Sequence, residues 1–170
     1  MSHEILELLA EKKYSAVKQL VAQMEEADLA KLFEELESEE DADQFNRLFR
    51  LLPKETAAEV FSYMEPEIQE KIVRALTDTE LQHILDDLFM DDYVDLVEEM
   101  PANVVKRVMQ NSTPENRKLI NQYLKYPEDS AGSLMTNEYV YFRSGFTVAK
   151  AFEIIREHGV DKETIYTCYV

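Results

Sequence analysis

The chain predicts a mainly α fold: a repeat domain of about ten short helices, wound as a superhelix, followed by the start of a small α/β unit. Three observations carry that expectation. Apolar residues recur at a period of 3.6 up to Tyr126, with almost no glycine and many strong helix formers. Pro53, Pro66, Pro101 and Pro114 fall between apolar groups, where proline opens helices rather than breaking them. An apolar register also repeats at a step of 24 residues.

Taken in order, the pattern predicts helices over roughly 4–12, 16–24, 28–37, 41–52, 54–64, 66–76, 79–88, 91–100, 102–111 and 114–125. Asp28 reads as the cap of the third, and Thr113-Pro114 as an N-cap followed by proline at the first helical position. In the repeat, Val60, Ile84 and Val108 align, as do Phe61, Leu85 and Met109. The partner helices give Leu48, Ile72, Leu96 and Ile120, then Leu52, Leu76, Met100 and Leu124. A two-helix unit this short cannot bury its apolar stripe alone, so neighbouring units must stack. Periodicity leaves the hand of the superhelix open.

The texture changes after Tyr126. Pro127 removes a backbone donor and pushes Tyr126 out of the helical region, so the last helix must stop. Gly132 is expected to lend flexibility, and Pro127 and Gly132 together mark a hinge. Tyr139-Val140-Tyr141-Phe142 reads as a strand, Thr147 as the cap of a helix from Val148 to His158 ending at Gly159, and TIYTCYV (164–170) as a second strand. A terminal apolar strand needs partners, so the expectation is that the chain ends inside a larger α/β domain, or else that the strand pairs with another chain or stays frayed. The expected division is 1–126 helical domain, 127–136 hinge and linker, and 137–170 the beginning of that second domain.

Charge narrows the function. There are 35 acidic against 18 basic residues, a net charge of −17, which argues against nucleic acid and anionic membrane surfaces and favours cations. Between Arg74 and Lys106 there is no Lys or Arg, while nine Asp and Glu fall inside: Asp78, Glu80, Asp86, Asp87, Asp91, Asp92, Asp95, Glu98 and Glu99. Such a run is either a solvated acidic face or a cation site. Cys168 is the sole cysteine, and His3, His83 and His158 lack transition-metal spacing, so zinc is not indicated. No Gly-rich phosphate loop, nucleophile elbow or triad pattern is present, and no enzymatic activity is expected. No apolar run is long enough to cross a bilayer.

The junction YPEDSAGSLMT (126–136) resembles the linker of MgtE-type magnesium transporters and channels, in which a helical N domain passes into the first CBS domain. LLPKETAAEVFSYM (51–64), ILDDLFMDDYVDLVEEMP (84–101) and the ETIYTCYV ending match as well. The resemblance spans essentially the whole chain. It implies the cytosolic, magnesium-sensing regulatory region of a membrane transporter, on the cytoplasmic face of the cell membrane. Mg2+ would bind there weakly as a regulator, between the N domain and the CBS domains, and close the pore. The implied partners are the CBS domains and transmembrane pore of the same protein, with a homodimer at full length. By motif match Glu59, Asp91 and Asp95 would be ligands, with Asp92 contributing less and the backbone at Ser133 offering a carbonyl.

For two of these the residues give an independent argument. Magnesium prefers six hard oxygens, keeps several waters, and is usually held by one or two carboxylates. Asp91 and Asp95 stand four apart on one helix face, with Cβ atoms about 5–6 Å apart, and like charges so placed are destabilising unless a cation intervenes. Asp91 and Asp92 could equally serve the N-terminal dipole of their helix. A helical-repeat scaffold binding another protein, without ion sensing, is the alternative reading.

Overall fold

In the computed structural model the described residues are 2–37, 42–127, 130–136, 138–159, 162 and 164–170. Ten short helices come first: α1 (Ser2–Ala10), α2 (Tyr14–Val21), α3 (Glu26–Glu37), α4 (Ala42–Leu51), α5 (Lys54–Ser62), α6 (Pro66–Ala75), α7 (Asp78–Asp87), α8 (Met90–Glu99), α9 (Ala102–Asn111) and α10 (Pro114–Tyr123). Strand β1 (Tyr139–Tyr141), helix α11 (Val148–His158) and strand β2 (Thr164–Tyr169) follow. Among the described residues this is a mainly helical protein with one two-stranded parallel sheet. The chain divides into two compact units, Met1–Leu88 with Leu96–Pro114, and Phe89–Asp95 with Glu115–Val170. The division runs within α8.

The prolines act in two pairs. Pro53 and Pro101 are the N-caps of α5 and α9, with near-identical backbone angles (φ −56°, ψ 142° and φ −59°, ψ 147°). Pro66 and Pro114 are the first residues of α6 and α10, where a missing N–H costs nothing. Thr147 caps α11 by accepting from the Lys150 N–H. Asp28 does not cap α3: the helix begins earlier, at Glu26, and Asp28 lies in its first turn, where its charge favours the dipole. The expected start of the fourth helix, at 41, lies outside the described residues.

The first unit holds most of the core. Leu48, Ile72 and Leu96 are buried in equivalent positions, as are Val60, Ile84 and Val108 and the trio Leu52, Leu76 and Met100. Phe33 meets Phe45 and Phe49 edge to face (centroids 5.2 and 5.9 Å), and Phe49 meets Phe61 at 6.5 Å. The register weakens at its last step, where Leu124 is 38% exposed and Met109 is half-buried. Leu124 lies just beyond the end of α10, so the helical period no longer turns it inward.

Two arginines fasten the turn between α6 and α7. From α9, Arg107 donates to the carbonyls of Val73 and Leu76 (the latter 2.6 Å) and to Asp78 Oδ1 (2.9 Å). From α4, Arg50 donates to the Ala75 carbonyl at 3.1 Å and to Glu80 Oε1 at 2.9 Å. These guanidinium groups satisfy carbonyls that the end of α6 would otherwise leave unpaired. Thr77 and Glu80 add a reciprocal capping box at the start of α7. The Arg50 hydrogen bond, followed by the Thr77 backbone bond, lowers the Glu80 pKa to about 2.

In the second unit Gly132 packs closely on an aromatic ring. A Cβ there would come within 2.4 Å of the Tyr126 ring, so glycine is required for close approach, and its φ is not positive. Pro127, Ser130 and Ser133 form a hydrogen-bonded turn: Ser130 N–H donates to Pro127 O at 3.1 Å, and Ser133 N–H donates to Ser130 O at 3.1 Å. Glu128 and Asp129 of the junction lie outside the described residues. The parallel pair β1–β2 buries Val140, while Tyr166 is fully exposed and Phe152 and Tyr169 are more than half exposed. Two strands and a helix are too little to cover their own apolar faces.

Replacing Leu96 with Ala should leave a cavity in the stacked core and cost about 2–5 kcal/mol in urea unfolding, because the side chain is almost wholly buried. A second expectation concerns pH. With a folded pKa depressed from 4.5 to about 2, Glu80 contributes stability that is complete above about pH 4.5 and lost as pH falls toward 2. Thermal melts of wild type and Glu80→Gln should therefore differ at pH 7 and converge between pH 4.5 and 2. A constant difference across that window would remove the carboxylate from the clamp.

Candidate cation site

The first turn of α8 concentrates negative charge where a helix tolerates it best. Asp91 and Asp92 occupy that turn, facing the positive end of the dipole. Its first N–H, on Met90, donates to Glu138 Oε2 at 3.3 Å, a residue 48 positions along the chain and just ahead of β1. A third carboxylate thus joins the helix terminus from the junction. Asp91 Oδ1 is buried and has no hydrogen-bond partner. An orphaned buried acceptor costs about 1–3 kcal/mol, and more when it is charged.

Asp95 follows one turn later on the same face. Its side chain reaches solvent, yet partial desolvation, and then the Asp91 charge, raise its pKa. Neither carboxylate has a basic neighbour on α8 or on the flanking turns, since residues 75 to 105 contain no Lys or Arg. Tyr123, at the end of α10, also belongs here. It is 4% exposed, and its hydroxyl is buried without a partner. Burial first, then the charge of Glu138, with smaller contributions from Tyr126, Asp91 and Tyr139, raises its pKa. Tyr126 packs on it edge to face at 6.2 Å.

The remaining expected residues are spread out. Glu59 is exposed on α5, in the first unit, and its pKa is raised by desolvation and then by Glu26 of α3, the helix that packs on α5. Asp92 is half-buried in the α8 first turn. Ser133 lies in the turn after Pro127 described above, and Gly132 packs on Tyr126. Asp91 and Asp95 therefore come together within one unit, and Glu59 falls in the other. No group of three or more His, Cys, Asp or Glu side chains able to hold a metal occurs among the described residues. Oxygen donors without nitrogen or sulfur suit a hard cation such as magnesium or calcium that keeps part of its water shell.

Residues 24–129 match the family described as the MgtE intracellular N domain. The chain belongs to that family. It is 35% identical over 168 residues to the magnesium transporter MgtE of Thermus thermophilus and 24% identical over 166 residues to the magnesium transporter MgtE of Bacillus subtilis. Those alignments cover 96% and 98% of this chain but 36% of each relative, so the chain spans about a third of their length. Among solved structures it is similar to the cytosolic domain of the Mg2+ channel MgtE in complex with ATP, at a TM-score of 0.86 and 32% identity, over all of this chain and 68% of that one. The soluble part of a magnesium transporter matches with the same TM-score of 0.86 at 20% identity, over 99% of this chain and 66% of that one, which is a likeness of fold.

Against that MgtE background, Glu138 and Tyr123 are the members of the acidic cluster that the sequence did not disclose. Tyr123 sits in an apolar stripe and reads as core. Glu138 is a lone acid between Asn137 and Tyr139, and only the fold brings it to Met90. Among the described residues no helix is long and apolar enough to cross a membrane.

Proposed function

We propose that this chain is the magnesium-sensing regulatory region of a membrane magnesium transporter, acting at the cytoplasmic face and gating transport by Mg2+-dependent closure of the helical domain against CBS domains of the same protein. The observation that carries the reading is the Asp91–Asp95 pair. One oxygen of Asp91 is buried and unpartnered, Asp95 is raised by desolvation and by its neighbour's charge, and residues 75 to 105 supply no basic side chain to either. Family membership and the names of the relatives, all magnesium transporters, support the choice of ion.

The physics is linkage. A cation shifts a balance between domain arrangements only by its differential affinity for them. Asp91 and Asp95, with Glu59 contributing from α5, repel like charges when Mg2+ is scarce. Closure brings further oxygens round shared ions and relieves that repulsion. Asp92 and a carbonyl near Ser133 are auxiliary donors, and Pro127 and Gly132 bound the segment about which the domains rearrange. The full-length protein acts as a homodimer with its CBS and transmembrane parts as partners, and the role requires no catalysis. On this chain alone Mg2+ binds weakly, at about millimolar or above, as expected for one or two carboxylates with retained waters. The competing scaffold reading calls for an apolar docking patch on the helices. Among the described residues of the helical unit, Tyr63 is the large apolar side chain that stands more than half exposed, which makes a small patch.

The test is magnesium flux against cytosolic Mg2+ for the full-length transporter and its Asp91→Asn/Asp95→Asn variant. Asn keeps size and capping ability and removes two charges. The variant should need more Mg2+ to close, with unchanged pore selectivity. Overlapping closure curves in a folded protein would leave the dipole role as the explanation of both residues.

A further inference from the structure

Helix α8 begins without a local side-chain acceptor in the cap position. The residue before Met90 is Phe89, whose side chain accepts no hydrogen bond, whereas Thr77 and Thr147 in the same position cap α7 and α11. The first N–H groups of a helix have no partner inside it and need an acceptor from elsewhere. For Met90 that acceptor is Glu138 Oε2, 48 residues along the chain. Both residues lie in the second unit. We propose that Glu138 is a positioning residue for the sensing pair: its carboxylate caps α8 from outside the helix and straps the turn that carries Asp91 to strand β1. The inference rests on the sensing reading of Asp91 and Asp95 and extends it, since Glu138 acts here through the backbone of α8 and not as a ligand.

The strap is anchored on both sides of its carboxylate. Glu138 N–H donates to Thr136 Oγ1 at 3.1 Å, which fixes the backbone just ahead of the sheet. The next residue, Tyr139, opens β1 and meets Tyr169 of β2 edge to face at 5.3 Å. Just past β1, Phe142 N–H donates to Tyr169 O at 2.7 Å. A carboxylate whose backbone is already held loses little freedom when it makes its bond. That bond reaches the positive end of the helix dipole, which favours a negative group. Asp91 follows Met90 directly, so fraying of the first turn would carry the Asp91 carboxylate away from that of Asp95. A cation that uses both would then have to order the turn as well as bind, and its apparent affinity would fall with the fraction of molecules in which the turn is formed. The role depends on the acceptor oxygen of Glu138 and not on its charge.

The test compares wild type, Glu138→Ala and Glu138→Gln by amide hydrogen exchange in this chain and by magnesium closure curves of the full-length transporter. Glu138→Gln removes the charge and keeps an oxygen that can accept from Met90. In Glu138→Ala the Met90 amide should exchange about 2- to 30-fold faster, the range that loss of a helix cap implies. Exchange at Ile120, buried in the same unit, should not change. Closure of Glu138→Ala should need more Mg2+, by no more than the same factor, and Glu138→Gln should match wild type in both measurements. If Glu138→Gln shifts as far as Glu138→Ala, the charge is responsible and the strap is overturned. Equal acceleration at Met90 and Ile120 would mean a general loss of stability and overturn it as well. Faster Met90 exchange in Glu138→Ala with an unmoved closure curve would overturn the positioning role and leave sensing by Asp91 and Asp95 standing. An unmoved Asp91→Asn/Asp95→Asn curve together with the expected exchange pattern at Met90 would overturn the sensing reading and retain the strap.

Discussion

Everything distinctive about the molecule follows from where its positive charge is committed. Three arginines are committed away from the first turn of α8: Arg107 binds Val73, Leu76 and Asp78, Arg50 binds Ala75 and Glu80, and Arg74 pairs with Glu70 at 2.6 Å. Their hydrogen bonds hold the α6–α7 turn and thereby set the packing of α4, α6, α7 and α9. The next helix along the chain, α8, has no basic residue of its own to answer Asp91 and Asp95.

Magnitudes show how the helix tolerates this. An acid in the first turn gains about 0.3–1 kcal/mol from the dipole, whereas a like-charged pair four apart loses about 0.2–0.5 kcal/mol. The two nearly cancel for Asp91 and Asp95, so α8 does not need a metal to form. A cation acts on the surplus: the buried oxygen of Asp91 and the approach of further carboxylates. That balance suits a sensor, since a region that folded only when loaded would report on its own stability rather than on the ion.

Much of the fold was legible because local and tertiary signals agree. The 24-residue register placed Leu48, Ile72, Leu96 and Val60 in the core, and the paired prolines set the starts of four helices. Thr147 and the strand–helix–strand order were equally plain. Sequence reasoning failed where a residue's role depends on a distant neighbour. The close approach of Gly132 to the Tyr126 ring has no local signal, and Asp28 resembles a cap because nothing local marks Glu26 as the earlier start. Of the candidate site, the i, i+4 spacing of Asp91 and Asp95 is visible in the sequence. The contribution of Glu138, reaching back 48 residues, and that of Tyr123, hidden in an apolar stripe, arise only from folding.

The central claim is that the start of α8 carries negative charge that a divalent cation specifically relieves. Amide hydrogen exchange at Val94, Asp95 and Leu96 tests it most directly, comparing MgCl2 with NaCl at equal ionic strength. If the claim holds, these amides exchange more slowly in MgCl2 than in NaCl, and Asp91→Asn removes most of the difference. Equal exchange in the two salts would mean that general screening accounts for α8, and the acidic turn would then be a solvated helix end and nothing more.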